Sequence, residues 1–161
     1  MKQIFESENI SFVEITEELI DDYLMMVNDI ENVGRYIGER TEPLTMEQER
    51  EWVQKKIREK GPYFSMIEKK SGDFIGNIEF MDVHDGIGEL GIAITAAKQN
   101  MGYGKEAIRT LVDYGKNVLK LKRMFLKAFP YNARALHVYK ECGFVEYDHN
   151  GTDIFMEIPE Q

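Results

Sequence analysis

Leu90-Gly91-Ile92-Ala93-Ile94, a polar approach ending in Gln99-Asn100-Met101-Gly102-Tyr103-Gly104, and a periodic segment running on to Leu119 read together as strand, anion-binding loop and helix. Ile108, Leu111, Val112, Gly115, Val118 and Leu119 recur at helical spacing, which commits one face of the helix to packing. Gly102 and Gly104 let the backbone turn its N–H groups toward one point, and the helix start adds unpaired donors and a partial positive charge there. A phosphate or pyrophosphate suits such a site.

Gly102-Tyr103-Gly104-Lys105-Glu106-Ala107 also satisfies the G-x-G-x-x-A form of a dinucleotide fingerprint. Three features count against that reading. A long polar segment separates Ile94 from Gly102, whereas a dinucleotide site turns directly out of its strand. The next apolar strand, residues 124–129, supplies no carboxylate for a ribose, and the chain beyond Gly104 is too short for the remaining parallel strands.

The chain of 161 residues, 43% hydrophobic and 30% charged, has the length and composition of one globular domain, read as spanning residues 1–161. The first residues, Met1-Lys2-Gln3-Ile4-Phe5-Glu6, do not resemble a secretory leader, and no apolar run is long enough to span a bilayer, so a soluble, cytoplasmic protein is expected. A single cysteine, Cys142, allows neither an internal disulfide nor a cysteine-based metal cluster; it reads as a small buried hydrophobe. Acidic residues outnumber basic ones 29 to 20, for a formal charge of −9. That balance argues against nucleic-acid binding and favours a cationic partner, although the same charge would serve solubility.

Along the chain, residues 10–15 read as a strand, followed by a helix capped by Thr16 with Ile20, Tyr23, Leu24 and Val27 on one stripe. A mixed segment, residues 29–38, breaks the period and is polar enough to line a cleft. Thr45 and Gln48 form a capping-box pattern that opens a second helix, and Gly61-Pro62 ends it. Residues 63–68, 74–82 and 87–94 read as an antiparallel meander with turns at Lys70-Ser71-Gly72-Asp73 and His84-Asp85-Gly86. A two-residue Asp85-Gly86 turn would set Glu89 opposite Asp82, and a three-residue turn would shift the pairing by one, so the face taken by Glu89 stays open. Strand 123–129 follows the long helix. Asn132 then caps a helix stopped by Gly143, and a hairpin, residues 144–148 and 153–158, closes through Asn150-Gly151. Strand–helix–strand around the central helix makes the sheet partly parallel.

Gln99-x-x-Gly102-x-Gly104 opening a helix, followed by Asn132-x-x-Ala135-x-x-x-Tyr139-x-x-x-Gly143-Phe144, resembles the GCN5-related N-acetyltransferases, the GNAT superfamily. The likeness covers essentially the whole chain, and the early part, with Asn28-Asp29 and Trp52, is similar to the branch of ribosomal-protein N-terminal and spermidine acetyltransferases. It implies an α+β fold, an α/β/α sandwich whose mixed, mostly antiparallel sheet has a central parallel pair splayed apart near Ala93 and Leu126, flanked by about four helices. The implied cosubstrate is acetyl-CoA, with no metal. Its pantetheine arm would lie along Ile92, Ala93 and Ile94, and its pyrophosphate on Gln99, Asn100, Met101, Gly102, Tyr103, Gly104 and Lys105. Asn132 and Tyr139 would approach the thioester. The implied acceptor is a primary amine, of a polyamine, a small cationic metabolite or a protein N-terminus. Family members often dimerise, and nothing in this sequence decides that point.

The residue types agree with such chemistry. Neutralising a lysine-like amine at pH 7 costs roughly 4 to 5 kcal/mol, and a protein α-amine about 1 kcal/mol, so a base is useful. Glu89 is the first candidate, with Glu79 and His84 behind it. Tyr139 can donate to the leaving thiolate, while Gly91 and Ala93 are small enough to leave room for substrate. Cys142 has no histidine partner at local spacing, so direct transfer without an acyl-enzyme is expected. Glu31, Glu39 and Glu42 hint at a cationic acceptor. A non-catalytic acyl-CoA-binding or regulatory module is the alternative, and Tyr139 argues for the enzyme.

Overall fold

Alternating apolar residues on the strands feed two cores, one on each face of a single sheet. The computed structural model describes residues 1–38 and 40–159. Its strands are β1 (Gln3–Glu6), β2 (Ile10–Glu14), β3 (Tyr63–Glu68), β4 (Phe74–His84), β5 (Ile87–Ile94), β6 (Arg123–Ala128), β7 (Val145–His149) and β8 (Ile154–Glu157). The helices are α1 (Ile20–Asn28), α2 (Met46–Glu59), α3 (Tyr103–Asn117) and α4 (Ala133–Glu141). The eight strands lie in the order β1-β2-β3-β4-β5-β6-β8-β7, antiparallel throughout except for the β5–β6 pair.

Ile10 and Phe12 of β2 pack with Ile108, Leu111 and Val112 of α3 in the larger core, whereas Val13 joins Tyr23, Met26 and Val53 of α1 and α2 in the other. The sandwich follows from that alternation of side chains on pleated strands. The capping box at α2 is complete, with Gln48 N donating to Thr45 Oγ1 at 3.1 Å and Thr45 N to Gln48 Oε1 at 2.9 Å. Thr16 caps a short 3-10 turn, Glu17–Leu19, and α1 proper starts only at Ile20. Strand β1, absent from the sequence reading, is a four-residue edge strand whose pattern is too short and exposed to announce itself.

Two features of the sheet shape the site. Pairing of β5 with β6 stops at Glu89↔Phe125, so β5 runs on to Ile94 and β6 to Ala128 with a gap between them. This is the expected splay. The β4–β5 hairpin closes with both central turn residues, Asp85 and Gly86, at positive φ, the two-residue I′ geometry, and His84 faces Ile87. A bulge with Asp82 at φ 50° then shifts the register, so that Glu89 opposes Met81 and Gly91 opposes Glu79. Glu79 and Glu89 therefore share the face that carries α1 and α2.

Candidate functional site

The gap between β5 and β6 opens into a cleft of about 820 Å³. One wall is Ile92, Ala93 and Ile94, the loop residues Gln99, Asn100, Gly102, Gly104 and Lys105, and Ile108 of α3. Asn132, Ala135, Val138 and Tyr139 from the start and inner face of α4 lie across from it.

The loop is shaped for donors. Asn100 (φ 61°) and Gly102 (φ 86°) take left-handed conformations that turn the backbone sharply into α3. Gly102 sits at the N-cap and offers no side-chain acceptor, so the first-turn amides of Tyr103, Gly104 and Lys105 have no cap and point toward the cleft end of a fifteen-residue helix. The Gln99 amide donates to Ile94 O at 2.9 Å and Asn32 O at 3.3 Å, which ties the loop to the end of β5 and to the segment after α1. Met101 and Tyr103 contribute no side chain to the cleft lining. Met101 points outward, and Tyr103 is buried, its hydroxyl donating to Glu68. Lys105 pairs with Glu141 of α4, which His137 also meets, and these contacts hold the Glu141 carboxyl below its usual range.

Tyr139 lies on α4, which Asn132 caps by accepting from Ala135 N at 3.4 Å. Its hydroxyl has no hydrogen-bond partner among the described residues, and burial, with Cys142 nearby, pushes its pKa up to about 12. It is therefore a protonated donor at neutral pH. Burial also raises the Cys142 thiol, opposite to what a nucleophile needs.

Glu89 reaches the cleft from β5 at the base of the gap, where its pairing with Phe125 ends. Burial raises its pKa, Lys127 at 4.0 Å offsets part of that rise, and the charges of Asp82 and Asp153 add to it. Glu79, the second candidate, does not line the cleft and is already engaged with Lys56 at 3.7 Å. Lys56 in turn sits 3.9 Å from the centre of the Tyr63 ring. His84 is exposed at the hairpin tip, its Nδ1 2.7 Å from Asp82 O, away from the cleft. Glu31 and Glu42 are exposed and off the lining, and Glu39 lies outside the described residues.

The mixed segment 29–38 does line the cleft, through Asn32, Val33, Tyr36 and Ile37. Lys127, Phe129, Arg134, Thr152 and Asp153 line it as well, and the sequence reading did not single them out for the site. Arg35 lies over the Tyr36 ring at 4.7 Å and the Tyr131 ring at 5.8 Å, and Tyr131 stacks on Phe129 at 5.2 Å. The only signal for this cluster was the broken helical period of residues 29–38.

Residues 9–145 match the model of the acetyltransferase (GNAT) domain family. The chain belongs to that family. A spermidine N(1)-acetyltransferase of Vibrio cholerae is 29% identical over 93 residues, 56% of this chain and 54% of that protein. The chain thus spans about half the length of the curated relatives it matches. Among solved structures, a GNAT-family acetyltransferase from Bacillus anthracis superposes with a TM-score of 0.84 at 20% identity, covering 95% of this chain and 96% of that one. The Vibrio cholerae spermidine N-acetyltransferase, in complex with CoA and spermine, gives 0.82 at 21% identity over 94% of each chain. These likenesses establish the fold. No described helix is long and apolar enough to cross a membrane.

Proposed function

We propose that this protein is an N-acetyltransferase that moves an acetyl group from acetyl-CoA to a primary amine by direct attack, working as one domain. The observation that carries the reading is a single cleft joining three things: an unpaired strand edge, an uncapped helix start and a tyrosine hydroxyl without a hydrogen-bond partner among the described residues. The free edge of residues 92–94 suits the amides of a pantetheine arm. The amides of residues 100–105 suit a pyrophosphate, aided by the glycine at 102 and the partial positive charge of the α3 N-terminus. When bound there, acetyl-CoA would supply an activated thioester.

The chain's own residues supply the rest. Glu89, its pKa raised by burial, takes a proton from the incoming ammonium, directly or through water. Tyr139 donates a hydrogen bond to the departing sulfur, a role its high pKa preserves across the physiological range. Cys142, raised and half-buried, stays out of the chemistry. The acceptor class best supported is a polyamine. Glu89 and Asp153 line the acceptor side, the chain is net negative, and the related Vibrio cholerae protein is named for spermidine.

The test is acetyl-CoA turnover against polyamines, amino acids, aminoglycosides and N-terminal peptides, with mass spectrometry of the products. Acetylated spermidine or spermine is the expected product. Absence of acetyl-CoA binding in calorimetry would remove the acetyltransferase reading, and product only on peptides would replace the acceptor class.

A further inference from the structure

Glu68 closes β3 beneath the anion-binding loop, is only 2% exposed, and has no place in the chemistry above. Three donors converge on its carboxylate: the Ser71 hydroxyl from the adjoining hairpin turn, the Lys98 ammonium at 3.1 Å, and the Tyr103 hydroxyl. Lys98 also reaches Asp73 at 2.9 Å, and Asp73 N donates to Ser71 Oγ at 3.1 Å. Ser71 and Tyr103 hold the Glu68 pKa down to about 2, so it is charged at any physiological pH.

The sequence positions of its partners matter most. Lys98 ends the 3-10 turn Ala96–Lys98, and Tyr103 begins α3, so one buried carboxylate grips both ends of the four residues between them. Two of those four, Asn100 and Gly102, hold the left-handed conformations that aim the amides at the cleft. Such conformations persist where surrounding contacts over-determine them. Stability alone accounts poorly for the arrangement, because well-packed apolar side chains often replace a buried ionic cluster at no cost. What a charged hub adds is fixed geometry.

We propose that Glu68 is a positioning residue for cofactor binding: through Lys98 and Tyr103 it holds the loop of residues 99–102 and the start of α3 in the conformation that binds pyrophosphate. The proposal rests on the acetyl-CoA reading. Calorimetric titration with CoA, on the wild type, Glu68→Gln and Tyr103→Phe, tests it. A wild type that fails to bind CoA overturns both. With the wild type binding, both variants should lose about tenfold in affinity. For Glu68→Gln, KM for acetyl-CoA should rise by a similar factor while kcat at saturation stays within about twofold, a split that a merely structural role would not give. Wild-type CoA affinity in both variants overturns the proposal alone, as does a fall in melting temperature and kcat with KM unmoved. Should Glu68→Gln fail to fold, Tyr103→Phe, which keeps the ring in the core, and Lys98→Met decide by the same CoA affinities.

Discussion

The two walls of the cleft are built differently. On the cofactor wall, Gln99 is bonded to two carbonyls, Tyr103 and Lys98 are moored to Glu68, and the loop conformation is set by two left-handed residues. On the acceptor wall, the segment from Asn32 to Ile37 is closed by local turn bonds, with Val33 N and Gly34 N donating to Asp29 O and Tyr36 N to Val33 O, and Val33 anchors it in the second core; the rings beside the cleft, Tyr36 and Tyr131 with Arg35 over both, meet through ring contacts and a bond from Tyr131 to Arg35 O at 3.3 Å. A loop tethered by side-chain hydrogen bonds presents its free amides in one geometry, whereas stacked side chains can re-pack. Under the proposed function, the wall assigned to the cofactor is fixed by side-chain bonds reaching across the fold, and the wall assigned to the amine presents stacked rings on a locally bonded backbone.

The change with the largest expected effect breaks the cofactor wall from behind. Gly76 of β4 faces Ile94, and a Cβ there would run into the Ala93 carbonyl oxygen and sit 2.9 Å from Ile94 Cα, both backbone atoms that cannot swing aside. Gly76→Ala should destabilise the fold by about 3 kcal/mol or more, read as a large drop in denaturant midpoint. A near-neutral result would mean the end of β5 is softer than described. Next comes Tyr139→Phe, which keeps the ring and removes the donor; kcat should fall about 10²-fold with CoA affinity nearly unchanged. Unaltered turnover would take Tyr139 out of the mechanism.

Glu89→Gln tests the acceptor side and should cost about tenfold in kcat. Because the base acts when deprotonated and its pKa is raised, wild-type kcat/KM should lose activity on acidification at a higher pH than an ordinary carboxylate would give. The variant should lack that limb and retain only the titration of the amine. Asn132→Ala removes the cap of the helix that carries Tyr139 and should lower stability by ~1 kcal/mol, a shift of about 2–4 °C in Tm. The last effect concerns acid. Glu68 has a folded pKa lowered to about 2, so its stabilisation is present above the unfolded value near 4.5 and is lost as pH falls from there toward 2. Glu68→Gln should flatten the wild-type decline in Tm over that window, and an identical decline would show that other carboxylates govern it.

The cofactor wall was the more legible in sequence for the same physical reason that it is rigid. A glycine at a positive-φ corner and an uncapped helix start leave marks in residue type, and Asn132 at a helix entry does likewise. The splay was implied by resemblance alone, since no residue type encodes a pairing that stops at Glu89 and Phe125. Tyr103 was read as backbone within Gly102-Tyr103-Gly104, while its side chain works on a partner 35 residues away, a distance no local pattern spans. On the opposite wall, segment 29–38 was read as able to line a cleft, but the ring cluster stayed dark because Tyr36, Phe129 and Tyr131 meet only after folding and each is ordinary alone. Glu89 was placed ahead of Glu79 with its face left open for want of the register, and Lys56 on α2, engaged with Glu79, is what separates the two in the fold.

The bulge at Asp82 uncouples the tip of the β4–β5 hairpin from its body. Its tip closes by the tightest turn available to two strands, yet the strand body pairs one residue out of step with that turn. Without the bulge, the tip would dictate the face on which Glu89 emerges; with it, the mismatch is absorbed among exposed residues, Asp82 and Val83. The turn at the tip and the face of Glu89 are thus set by separate stretches of backbone, so a change of turn residues need not carry the carboxylate out of the cleft.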